Sequence, residues 1–75
     1  MSGLTRHGKV ITYTDESGDS IEITAARDSG GRPVVALVPV LDAGGELVHV
    51  ADEDVEEFIA AVREKQVEAR EKYDT

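Results

Sequence analysis

The side chains able to do chemistry in this chain are few in kind: two imidazoles, scattered hydroxyls and a surplus of carboxylates, with no thiol. Metal binding or acid–base work at His7 or His49 would need partners converging on the ring, and no His-x-x-x-His spacing supplies them. Both read as surface residues. Asp15, Glu16 and Asp19 place three carboxylates close together, as a calcium loop would. Calcium takes about six to eight oxygens in a fixed order, and this stretch lacks that order. With Ser17 and Gly18 it reads as a hairpin turn. Ser17, Ser20 and Ser29 are nucleophiles in name only, since none sits in Gly-x-Ser-x-Gly and no His lies near them in sequence. Gly30-Gly31-Arg32 joins free backbone to a cation. A phosphate loop runs directly into a helix N-terminus, whereas this one runs into a proline-led apolar strand. No catalytic, cofactor-binding or metal-binding residue is assigned, no cofactor is expected, and the chain is read as non-enzymatic.

The carboxylates offer a surface rather than a reaction. Asp52, Glu53, Asp54, Glu56 and Glu57 crowd one short stretch. They could imitate the phosphates of DNA, dock on a basic protein, or form the charged first turn on the solvent side of an amphipathic helix. Arg27 and Asp28 flank a turn and suit either a local ion pair or recognition.

The elements that must carry these residues are organised around 33–41, Pro-Val-Val-Ala-Leu-Val-Pro-Val-Leu, the longest apolar run without a charge. At period 2, Val34, Ala36, Val38 and Val40 share one face, and Val35, Leu37, Pro39 and Leu41 share the other. A strand apolar on both faces needs cover on both. Pro39 lacks an N–H, so it implies a bulge or an unpaired side. Met1 to Gly8 reads as a flexible, frayed N-terminus. Lys9–Thr14 is a strand, Asp15–Asp19 a turn, and Ser20–Ala26 a half-buried strand with Ile21, Ile23 and Ala25 inward. Arg27–Arg32 is the second turn and Asp42–Gly45 the third. Glu46–Val50 reads as the fourth strand.

Asp52 is the expected helix N-cap. Val55, Phe58, Ile59 and Val62 then give one buried stripe at i, i+3, i+4, i+7. Beyond Val62 the stripe thins to Val67, Ala69 and Tyr73, and Glu68 can pair with Lys72. A helix through residue 72 would overhang the sheet. The expected architecture is one small α+β domain over 1–75: a four-stranded antiparallel β-meander over 9–50 with one C-terminal α-helix, 52–72, across one face.

Three short runs resemble a small actinobacterial family of unknown function. They are Ser20-Ile21-Glu22-Ile23, then Ala26-Arg27-Asp28-Ser29, then Gly31-Arg32-Pro33-Val34-Val35. In that family Val-Glu-Val is followed by Val-Arg-Asp-Ser and Gly-Pro-Val-Leu, and the closing helix carries a Phe and then Val-Arg or Val-Lys, as Phe58, Val62 and Arg63 do here. The likeness covers less than half the chain. The family's aromatic-Ser-Ser opening and the Trp before its Phe are absent, and Pro39–Val50 is an added segment. Members are encoded beside helix-turn-helix regulators, so the resemblance implies action on such a regulator by protein contact.

Composition narrows the partners. The net charge of -8 opposes direct nucleic-acid binding and favours basic protein surfaces. No apolar run approaches the roughly 18 residues of a membrane span, no membrane association is expected, and a soluble cytoplasmic protein is the expectation. A chain of 75 residues has little core, and without Cys it cannot be stapled by disulfides. A homodimer or another protein partner is expected to complete it, with Val34, Val35, Leu37 and Val38 as the candidate interface. An acidic DNA-mimic inhibitor of a basic nucleic-acid-binding protein, of phage origin, is the alternative.

Overall fold

A computed structural model describes residues 2–40 and 47–73. Four strands, β1 (Gly3–His7), β2 (Val10–Thr14), β3 (Ser20–Arg27) and β4 (Pro33–Val40), form one antiparallel sheet in sequence order. A 3-10 turn, Asp52–Asp54, leads into helix α1 (Val55–Tyr73), which packs against β3 and β4. The α+β class and the meander with one helix across one face are as the residue pattern predicts, but one strand is a different one.

The N-terminus is not frayed. His7 pairs with Val10 around Gly8-Lys9, and Gly8 has φ +60°. A glycine at the first central position is what a two-residue II′ hairpin turn demands. The signal was present, but Thr5, Arg6 and His7 made the flanking strand look too polar. Conversely, Glu46–Val50 is not the fourth strand. Leu47 to Val50 have no regular structure, although exposure alternates along them. The backbone is patterned as expected but finds no ladder. Glu46, Leu41 and the turn 42–45 lie outside the described residues.

The other two hairpins share one loop geometry. Asp15 and Asp28 each accept backbone N–H groups from two and four residues on, through Oδ1. The N–H of Gly18 and of Gly31 bonds back to the Asp carbonyl, and the Asp N–H bonds to the carbonyl of residue 19 or 32. Gly18 and Gly31 have φ +93° and +82°. Each is a three-residue loop, a turn closed by a glycine bulge, held by an Asp that supplies the missing acceptor.

The register puts odd-numbered residues of β2, β3 and β4 on the helix face. Ile11, Ile23 and Ala61 form the centre of the core, with Leu4, Ile21, Val35, Phe58 and Val62 around them. Phe58 and Val62 of the expected helix stripe pack on the core, but Ile59 does not and the fully buried positions are others. The buried residues of α1 are Ala61, Lys65 and Ala69, whereas Ile59 is 41% exposed. Alanines at two of these positions let the helix approach the sheet closely. At the third, the Lys65 ammonium donates to the Lys9 carbonyl and to Glu68 Oε2. That bond replaces the expected Glu68–Lys72 pair, and holds the Glu68 carboxyl below its ordinary value. Nineteen helical residues span about 28 Å at 1.5 Å each. An eight-residue strand spans about 26 Å, so the expected large overhang is not found.

Ile23 is fully buried on the central strand. Ile23→Ala should cost about 2–5 kcal/mol, read as a lowered urea midpoint with an unchanged slope.

Candidate interaction surface

Two side chains at and just beyond the end of β2 hold His49, Ala51 and Asp54 ahead of α1. Tyr13 is fully buried on the helix face. Its ring meets Phe58 edge-on, with centroids 5.8 Å apart. Its hydroxyl donates to Asp54 Oδ2 at 2.9 Å and accepts the Ala51 N–H at 3.1 Å. Ser2 Oγ donates to the same Asp54 oxygen at 2.7 Å. Asp15, also buried, takes the His49 N–H on Oδ2 at 3.1 Å, besides the two turn donors on Oδ1. Residues 49 and 51 thus spend their backbone donors on side chains, which is why the segment needs no ladder partner.

Burial pushes the Asp15 carboxyl up. The N–H groups of His49, Asp19 and Ser17, with the charge of the nearby imidazole, outweigh it and hold the group below its ordinary 3.8. The oxygens are committed to backbone, so this is a positioning carboxylate. Among the described residues no group of three His, Cys, Asp or Glu side chains is placed to hold a metal ion.

The acidic stretch does not stay together. Asp52 is not the N-cap: Ala51 occupies that position, and no side chain caps the turn. Asp54 turns inward to the two hydroxyls, while Asp52, Glu53, Glu56 and Glu57 are exposed. The four exposed carboxylates lie in the first turns, where the helix dipole favours negative charge. Arg70 and Lys72 stand at the other end. The Arg6 guanidinium grips exposed Glu64 at 2.6 and 3.0 Å, which raises the former's pKa and lowers the latter's. Arg27 lies over the Tyr73 ring, 5.8 Å from its centroid. Asp28 works in its own loop.

The candidate interface residues also divide. Val35 and Leu37 face the helix; Val35 packs on the core, but Leu37 remains 49% exposed. Val34 and Val38 face away, in a row with Ala36 and Val40. Val38 is 44% exposed. No described element covers that outer face. Among the described residues β4 is also a sheet edge, paired on one side only. Tyr13 and Lys65 were missed in sequence because one looked like ordinary strand material and the other like ordinary helix surface. No helix among the described residues is long and apolar enough to cross a membrane. Compared with protein-family models, curated proteins and solved structures, the chain matches none.

Tyr13→Phe keeps the ring but strands the Ala51 N–H and leaves Asp54 Oδ2 with the Ser2 hydroxyl alone. It should cost about 1–3 kcal/mol in chemical denaturation. Asp15 has a folded pKa below its unfolded one. Its contribution is therefore present above about pH 4 and lost as pH falls through the folded value. Stability measured from about pH 6 down to 2 should fall less steeply in Asp15→Asn than in the native chain; parallel curves would contradict this.

Proposed function

We propose that this chain is a non-enzymatic, cytoplasmic interaction module that binds a basic protein. A DNA-binding transcription regulator is the partner class suggested by its likeness to the actinobacterial family. The supporting observation is the one-sided cover of the sheet. α1 lies on one face, and the other presents Val34, Ala36, Val38 and Val40 on a chain of net charge -8. Apolar contact at that row supplies affinity. The surrounding carboxylates draw in and orient a positive partner.

DNA mimicry by an inhibitor is the second reading, and the exposed Asp52, Glu53, Glu56 and Glu57 favour it. Asp54, held by Tyr13 and Ser2, weakens the array from within.

The two readings separate by titrating one purified partner against two variants. Contact through the sheet predicts that Val38→Glu weakens binding about tenfold or more, some 1.4 kcal/mol. Glu53→Lys with Glu56→Lys should then cause a smaller, salt-sensitive loss. The reverse order overturns the sheet reading in favour of mimicry, and indifference to both variants removes both surfaces.

A further inference from the structure

We propose that the free edge of β4 is the seam of a two-fold dimer, in which β4 pairs antiparallel with the β4 of a second copy and Ala36 lies on the axis. The inference goes beyond the proposed function: the seam is the edge of β4, beside the sheet face offered to a basic partner, and it stands or falls separately.

The argument is a count of backbone donors. In an antiparallel ladder each residue points its N–H and C=O to one side, and alternate residues point to opposite sides. The loop bond from the Asp28 N–H to the Arg32 carbonyl sets the phase, and the register pairs Ala26 with Val34, Thr24 with Ala36 and Glu22 with Val38. Val34, Ala36, Val38 and Val40 therefore bond to β3. Pro33, Val35, Leu37 and Pro39 point outward. The two prolines sit where the ladder with β3 loses nothing, so Pro39 needs no bulge. They also strip the edge of donors at both ends, leaving only the N–H groups of Val35 and Leu37.

A two-fold axis at Ala36 uses all that remain. It sets Val35 opposite Leu37 of the second copy, and Leu37 opposite its Val35. Each pair exchanges two bonds, so every outward N–H finds a carbonyl. Pro33 then faces Pro39 of the copy, where neither residue has a donor to lose. Axes at Val35 or Leu37 would also pair every outward N–H, but each places a proline ring within the bonded stretch, against the carbonyl of a donor residue, whereas the Ala36 axis leaves the prolines at the two ends, where the strands can splay. On the outer face, Val34 meets Val38 and the small Ala36 meets itself.

Charge and exposure agree with this seam. Residues 33–40 carry no charge, so two acidic chains meet where neither brings a carboxylate on the strand. Leu37 and Val38, two of the large exposed apolar residues, are on β4. A third, Ile59, lies about 140° around the helix from Glu64, at 100° per residue. Glu64 reaches toward β1, so Ile59 turns toward β4. The opposite edge fits poorly: β1 is five residues long and carries Arg6 and His7, common defences against strand addition. An isologous β4 pair uses the same patch on both copies and closes on itself.

The full chain should run in light scattering at twice the 8.1 kDa of one chain, and dissociate on dilution. In hydrogen exchange, the Val35 and Leu37 amides should be protected at high concentration and lose that protection as the dimer dissociates. Leu37→Pro removes one outward donor and no bond to β3, and should give a folded monomer. Val38→Pro, which removes the donor to Glu22, should unfold the chain. Ala36→Glu sets two carboxylates on the axis and provides a second monomeric variant should Leu37→Pro misfold. A native chain that stays monomeric with fast-exchanging Val35 and Leu37 amides overturns the dimer. If that monomer still binds a basic partner through Val38, the proposed function stands alone. A dimer that Leu37→Pro abolishes, with no Val38-sensitive partner, leaves the seam and removes the function.

Discussion

The buried hydroxyl of Tyr13 is the constraint on which the arrangement of sheet and helix depends. One oxygen joins β2, the Ala51 backbone and Asp54. Buried polar groups must be paired, so Ala51 and Asp54 are fixed just before the helix begins. Asp15 does the same one step earlier for His49. Together they fix residues 49–54, and α1 starts with Ala61 set toward Ile11 and Ile23.

Much of this was legible in the residues and some was not, for identifiable reasons. β2, β3 and β4 followed from period-2 patterning, and the two Asp-led loops from their Ser and Gly content. β1 was hidden because an edge strand of a small sheet has one solvated face and need not look apolar. Leu47–Val50 misled in the opposite sense. Alternation records which side of an extended chain is shielded, and says nothing of what its backbone bonds to. Here the partners were the Asp15 carboxylate and the Tyr13 phenol, which no short-range pattern reveals. In the apolar stripe of α1, Phe58 and Val62 sit as their spacing implies, but Ala61 rather than the larger Ile59 takes the buried place. Close helix–sheet packing favours the smaller residue.

The interface was legible as a strand but not as a surface. The residue pattern marks Val34, Val35, Leu37 and Val38 as the interface without saying which parity faces inward, and the sheet sends Val35 and Leu37 toward the helix and Val34 and Val38 away from it. A strand presents a partner with an edge as well as two faces. On β4 the prolines write the terms of that edge, since they restrict it to a short central stretch of donors. The acidic residues divide similarly. Asp54 is spent on structure, and Asp52, Glu53, Glu56 and Glu57 remain for solvent or a positive partner.

Three residue pairs tie the beginning of the chain to its end: Ser2 with Asp54, Arg6 with Glu64 and Lys9 with Lys65, across separations of 52, 58 and 56 residues. Loops of that length are costly to close before any contact rewards them. The first hairpin closes through a local turn, yet the lysine that completes it comes from the helix. Neither half is whole without the other: a helix that lifts away takes with it the partners of Arg6 and Lys9.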